Sequence, residues 1–321
     1  MARQPPRSAA VLHRVTGMTS RTLLCIIVVA AASMSAFAAA QDARAPQCRA
    51  AGPVVQLPEL PEASGIAASR RTPGRFWAHN DSGQPALIAL DERGAVTGRV
   101  LLSGITLEDW EATAVGPCPS GSCVYVADIG DNSGKRRNIT VYRIPEPEGT
   151  SDRAAPAEAF HATYPDGAHD AEALLVTAKG DLFVVTKGVG GPVSVYQFPR
   201  GMRPGATVAL TRVGHPRDEG SRQSDEGKDE DKKDDRANVT DGAVSPDGQR
   251  IVLRTNDSLY FYPASEVTSG TWRNVTRVDL KNLREPQGEG VTFADNTTLV
   301  LVGEGGGKGR GGTFVRLTCT F

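Results

Sequence analysis

Beyond residue 40 the chain lacks any long apolar run. No later stretch approaches the roughly 18 apolar residues that a membrane-spanning helix needs. Histidine is scarce. Its five copies show no metal spacing, and no second Cys-x-x-Cys-like pair occurs, which argues against a zinc site. No Gly-x-Ser-x-Gly elbow is present. The glycine-rich stretch 303–312 contains Lys308 but lacks the Gly-Lys-Ser/Thr ending of a phosphate loop, so it reads as a mobile hairpin. No segment sustains an apolar period of 3.6, so long amphipathic helices are excluded as the main element.

A large excess of one charge is also missing, with 36 basic against 37 acidic residues. The first forty residues hold four of the arginines and no acid. Arg3, Arg7, Arg14 and Arg21 precede an apolar run, Leu23 to Ala40, that ends in Ala38-Ala39-Ala40-Gln41. This is the pattern of a signal peptide over residues 1–40, with small residues at the cleavage point. Residues 41–47 read as a flexible leader. The remainder carries 32 basic and 37 acidic residues, a balance of −5 that argues against a nucleic-acid partner. The expected location is secreted or periplasmic, with no membrane attachment after cleavage, and the expected state is a monomer.

Four cysteines remain after residue 40: Cys48, Cys118, Cys123 and Cys319. An even count in an exported chain reads as disulfides, and three pairings are possible. The turn at 119–122 allows Cys118 and Cys123 to close locally. Cys48 and Cys319 are then left to each other, which requires the two ends of the domain to meet.

What the chain does contain is a repeat. Short runs rich in β-branched and aromatic residues are cut by Gly, Pro, Asp and Asn, the punctuation of strands and turns. Four-strand patterns recur over residues 62–102, 109–164, 170–213 and 240–280, and a fifth unit over 288–319 has only three strands. All-β units of roughly 45–60 residues read as β-propeller blades. The expected fold is therefore one all-β propeller over 48–321, of about five and possibly six four-stranded blades. The unassigned strand at 54–57 supplies the missing strand of the last blade and closes the ring. A Cys48–Cys319 bridge would pin that closure. Residues 217–236 interrupt the pattern with fifteen charged side chains in twenty and read as a disordered loop.

The first strand of each unit opens on acids. One position holds Glu62, Asp109, Asp170, Val239 and Gln287, and the position two residues on holds Ser64, Glu111, Glu172, Asp241 and Glu289. Alternation along a strand places both on one face, and a ring of blades brings them to one channel mouth. Seven of the ten are carboxylates. Like charges this dense either raise one another's pKa or hold a cation. Hard oxygen donors suit Ca²⁺, or Mg²⁺, rather than zinc. The expected metal ligands are Glu62, Asp109, Glu111, Asp128, Asp170, Glu172, Asp241 and Glu289. The ends of the second strands add His79, Asn80, Asp81 and Glu304 as substrate contacts, and Lys187 and Arg254 as cations that balance the acids or hold an anionic group.

As a set, Glu62-Ala-Ser-Gly-Ile, Trp77-Ala-His-Asn-Asp-Ser-Gly83, Asp109-Trp-Glu111, Asp128-Ile-Gly-Asp-Asn132, Tyr164-Pro-Asp-Gly-Ala-His-Asp-Ala-Glu-Ala173 and Ser245-Pro-Asp-Gly248 resemble a group of exported bacterial β-propeller proteins. The resemblance covers most of residues 54–305 and implies a propeller and export, without an established reaction. More distantly the acidic channel is similar to calcium-dependent propeller phytases and metal-dependent gluconolactonases.

Two functions follow as expectations. One is a calcium-dependent hydrolase of a small ester, lactone or phosphoester. In it Glu111 or Glu172 is the general base, and Lys187 or Arg254 sits near the developing negative charge. The other is a non-catalytic propeller that binds a small ligand or a protein at the same face, with a structural metal or none.

Overall fold

The strand-like runs fold as strands, and their turns are made by the residues that read as punctuation. In the computed structural model, residues 46–119, 121–150, 156–189, 191–216, 238–307 and 309–321 are described. The expected signal peptide, most of the leader and the charged loop at 217–236 lie outside the described residues. The fold is a β-propeller of five blades, each built on four antiparallel strands.

The first blade comprises β3 (Ala63–Ala68), β4 (Phe76–Asn80), β5 (Ala86–Leu90) and β6 (Val96–Leu101). The second comprises β7 (Trp110–Cys118), β8 (Gly121–Asp128), β9 (Ile139–Pro145) and β10 (Glu158–Thr163). In the third, β11 (Ala171–Val176), β12 (Leu182–Thr186) and β13 (Val195–Gln197) are completed by β15 (Thr211–Gly214). The fourth holds β16 (Val239–Val244), β17 (Arg250–Thr255), β18 (Ser258–Pro263) and β19 (Thr276–Asp279), with a short helix α1 (Ala264–Ser269) before the last strand.

The fifth blade closes the ring. Its own strands are β20 (Gln287–Phe293), β21 (Thr298–Glu304) and β22 (Gly312–Thr320), and two N-terminal strands, β1 (Gln47–Ala50) and β2 (Val55–Leu57), both pair with β22. Cys48 lies directly opposite Cys319 in the β1–β22 register, and the two are bridged. Cys118 and Cys123 form the second bridge across the β7–β8 turn. Two bridges suit an oxidising compartment. Among the described residues no helix is long and apolar enough to cross a membrane.

One strand assignment differs from the sequence reading. The run at 206–213 is not a single strand. Its first part, β14 (Thr207–Ala209), pairs parallel with β10 of the second blade, and only β15 belongs to the third. Leu210 sits buried at the switch, its N–H donating to Thr163 O at 2.9 Å. One chain segment thus stitches two blades, which a continuous apolar run cannot reveal.

Five apolar clusters lie between consecutive blades, one per junction. Trp77, Leu87, Trp110 and Val126 join the first blade to the second, and Ile129, Phe160, Leu174 and Tyr196 join the second to the third. Phe183, Val185, Ile251 and Trp272 follow, then Phe261, Val291, Leu301 and Leu317. Ile66, Phe76, Val302 and Phe314 complete the circle between the fifth blade and the first. The core is therefore a ring, and the inner strands β3, β7, β11, β16 and β20 stand around the axis as a channel wall.

Candidate functional site

Each inner strand begins at one end of the channel, here called the mouth, and each carries one extra residue against its partner. The register skips between Ala63 and Ile66, Trp110 and Ala112, Ala171 and Ala173, Val239 and Asp241, and Gly288 and Val291. Five bulges lie at one level of the channel, and four of them include the second acidic position, while in β16 the extra residue is Thr240, beside Asp241. A bulge bends the strand and re-aims a side chain. This corrects the alternation argument, which put both positions on one face. The second tier of Ser64, Glu111, Glu172, Asp241 and Glu289 is buried, between 1% and 8% exposed. The first tier stays at the mouth, with Glu62 exposed and Asp109, Asp170 and Gln287 half-buried.

Glu111 and Glu172 lie against each other in the second tier. Burial pushes Glu111 well above the usual carboxylate range, and the Glu172 charge and a hydrogen bond to Glu172 add to it. Burial also raises Glu172, but Lys187 opposes the rise. Lys187 Nζ contacts Glu172 Oε1 directly and lies 3.6 Å from Asp170 Oδ2. Partial burial works against the ammonium, and the charges of Glu172 and Asp170 outweigh it, so Lys187 stays cationic. At neutral pH Glu111 therefore holds a proton, while Glu172, whose rise Lys187 opposes, passes between its protonated and ionised forms. Gly130 makes the arrangement possible. A Cβ there would come within 2.5 Å of Glu111 Oε1 and 2.6 Å of the Asp109 carboxylate.

The other second-tier acids also hold protons. Burial raises Asp241, although its Oδ2 accepts the Val291 N–H at 2.8 Å, and its Oδ1 is buried with no partner among the described residues. Burial pushes Glu289 up to about 8, against a hydrogen bond from Gln287. At the mouth a second group gathers. Glu304 is pushed up to about 7 by burial and by the charges of Asp81 and Glu62. Asp81 reaches about 6 through burial, Glu62 and Asp109. Ser82 Oγ donates to Glu62, and Asn80 Oδ1 accepts the Glu62 N–H at 3.1 Å.

Three expected site residues turn out to be spent on structure. Arg254 is fully buried beneath β20. Its Nη1 donates to Gly290 O and Val302 O at 2.7 Å each, and its Nη2 to Glu285 Oε2 at 2.6 Å. Asp128 accepts the Glu108 and Asp109 N–H groups and pairs with Arg136 Nη1 at 2.9 Å. That clamp holds the loop on which Asp109 stands. His79 is buried and stacked on Trp110 at 3.8 Å, and desolvation lowers it to about 3, so it is a neutral packing group. Nothing in the sequence marked Glu285 or Arg136 as the partners. Both come from outside the repeated motif.

Among the described residues, no three His, Cys, Asp or Glu side chains close into a ready-made metal cluster. The acids are gathered but balanced by protons and by Lys187. The far end of the channel is different. There the inner strands line a cavity of about 410 Å³ of mixed character, with Ile66, Leu174 and Phe293 beside Ser69, Thr113 and Thr292, and with Arg70 as its one charged wall residue. No acid lines it, so the gathered carboxylates belong to the mouth.

These protons make stability depend on pH. A carboxyl whose folded pKa is raised stays protonated after the unfolded chain has ionised. Its contribution is full below the unfolded value near 4 and is lost as pH rises through about 6 for Asp81, 7 for Glu304 and 8 for Glu289. Chelated protein is expected to melt higher at about pH 5 than at about pH 8, the loss being on the order of a few kcal/mol. A melting temperature that is flat or rising over that window would show that the buried acids are ionised.

No protein-family model matches the chain, and no curated protein matches it significantly in sequence. Solved structures match in fold. The PQQ-bound aldose sugar dehydrogenase of Streptomyces coelicolor aligns with a TM-score of 0.51 at 13% identity, over 86% of this chain and 98% of that one. The soluble aldose sugar dehydrogenase of Escherichia coli in its apo-form gives 0.47 at 12% identity, over 86% and 99%. The Malassezia sympodialis allergen Mala s 1 gives 0.49 at 10% identity, over 83% and 96%. At such identities the likeness is one of architecture alone, and the first of these agrees with the β-propeller described above.

Proposed function

We propose that the protein is an exported hydrolase of a small ester, lactone or phosphoester, working at the acidic channel mouth. The observation that carries this reading is the Glu111–Glu172 pair beside Lys187. Glu172 is pushed up to about 7, where a general base works best at neutral pH. In this role it takes a proton from the attacking water. Glu111 holds the proton that a leaving group needs, and Lys187, in contact with Glu172, faces the negative charge that develops beside the pair. Such a pair, with one acid and one base set apart by environment, is the arrangement that general acid–base chemistry requires.

A calcium ion would sit at the mouth rather than in the second tier, and would have to draw the mouth acids together, since no three of them close into a ligand cluster among the described residues. Glu62, Asp81, Asp109 and Glu304 repel one another there and offer only hard oxygen donors. Bound there, the ion would supply Lewis-acid polarisation of the substrate oxygen. The chemistry resembles that of the calcium-dependent phytases and the gluconolactonases only in its donor set.

One observation favours the second reading, a binding propeller without turnover. The acids do not form a closed ligand cluster, and protons already relieve their repulsion. A screen of nitrophenyl esters, nitrophenyl phosphates and lactones, with calcium and with chelator, separates the two. Calcium-stimulated turnover of one class is expected, and its absence in all three would favour the binding reading.

A further inference from the structure

The motifs at 128–132 and 164–173 do more than supply channel acids. They also wall a second cavity of about 490 Å³ beside the mouth, on the third blade. That volume is in the range of small-molecule sites. Its wall includes Asn132, His169, Ser194, Tyr196, Arg212 and His215.

The polar groups of this wall are held in place. Tyr196 Oη lies 2.9 Å from Asp166 Oδ2 and 2.9 Å from His169 Nε2. Arg212 Nη1 donates to Asp166 Oδ2 at 3.3 Å. Tyr164 packs edge-on to His169 at 5.0 Å and to Tyr196 at 4.8 Å, which fixes both rings. His215 Nδ1 lies 3.0 Å from the buried Ser194 Oγ.

The two acids on the same wall are already engaged. Asp131 accepts the N–H groups of Lys135 at 2.9 Å and Arg136 at 2.7 Å, and the Ser133 hydroxyl at 3.1 Å. Asp170 accepts the Asp131 N–H at 2.7 Å and faces Lys187. The wall's other nitrogen groups are the Arg212 guanidinium, whose side chain is half-exposed, and the imidazoles of His169 and His215. Asp166 behind the wall orients Arg212 and His169, and nitrogen donors held in this way around a small cavity whose own acids are already bonded select an oxyanion.

We propose that this cavity binds a small oxyanion group, phosphate or carboxylate, through Arg212, His169 and His215. Asp170 belongs both to this wall and to the Lys187 contact, so the cavity adjoins the channel mouth. An anionic group seated here leaves the rest of the same molecule over Glu172. This part rests on the hydrolase reading and narrows its substrate to a phosphoester or a carboxylate-bearing ester or lactone.

The test titrates inorganic phosphate into the chelated full-length protein. Binding is followed by calorimetry and by the ring signals of His169 and His215 in NMR spectra. Saturable binding that moves both signals is expected, with affinity at least about 10-fold weaker in Arg212→Ser and unchanged melting. No saturation by about 50 mM phosphate, unmoved histidine signals, equal binding by Arg212→Ser, or equal affinity for glucose would each overturn the site. The Glu172→Gln variant keeps the two proposals apart, because it is expected to bind phosphate normally. Arg212-dependent binding in that variant supports the site even if no turnover is ever found. With an active substrate in hand, Arg212→Ser is expected to raise KM and spare kcat; an unchanged KM would contradict the link to the substrate.

Discussion

Glu172→Gln is expected to lower turnover by about 10²–10⁴-fold while the protein still folds. The amide keeps the shape of the buried side chain but takes up no proton at neutral pH. Removing one partner of a buried ion pair is strongly destabilising when the other charge is left alone. Here Lys187 keeps Asp170 at 3.6 Å, and its side chain retains 26% exposure to water. The expected stability loss is therefore small, on the order of 1 kcal/mol, and the kinetic loss is the large effect. Paired kinetics and melting of the wild type and the variant check this. Wild-type turnover in the variant, with calcium still bound, would remove Glu172 from the general-base role.

The second large effect is on stability. Replacing both Cys48 and Cys319 with alanine is expected to cost about 2–5 kcal/mol, or roughly 5–15 °C in melting temperature. These cysteines are 271 residues apart, so the bridge removes a very large loop from the unfolded ensemble. Replacing Cys118 and Cys123, only 5 apart, is expected to cost less, about 2 kcal/mol. The β1 and β2 pairing with β22 remains in the first variant, so it should still close its ring and fold. Thermal melts of the two double variants measure the ranking. Equal or reversed losses would mean that strand pairing alone secures the closure.

Much of the architecture is legible in the sequence because two independent signals agree. Counting cysteines joins Cys48 to Cys319, and counting strands leaves the fifth unit one short, so both bring the chain ends together. The acidic repeat is legible for a similar reason, since Glu111, Glu172 and Glu289 recur at matched places in their units, with Asp241 one residue further along in its own. What the repeat conceals is direction. A bulge adds one residue without changing the residue types, so simple alternation could not show that the second tier turns into the interior. Roles are less legible than places. Arg254 and Lys187 both come near the ends of second strands, yet Arg254, inside β17, is consumed by Glu285 and two carbonyls, while Lys187, just past β12, meets the buried acids. Asp128 and Asp109 belong to adjacent motifs, and only the fold shows that Arg136 claims the first and leaves the second at the mouth. The switch at Leu210 was hidden because a three-residue and a four-residue strand joined by one buried leucine read as a single run.

The central claim is that the channel mouth holds repelling, proton-bearing carboxylates that a cation and a substrate can engage. Calorimetric titration of calcium into the chelated protein at pH 7, in two buffers of different ionisation enthalpy, tests it most directly. Saturable binding is expected, with release of about one proton per ion as Glu304 and its neighbours ionise. A higher melting temperature with calcium is expected to accompany it. No binding at millimolar calcium, or binding without proton release, would contradict the claim and leave the acids balanced by Lys187 and their own protons.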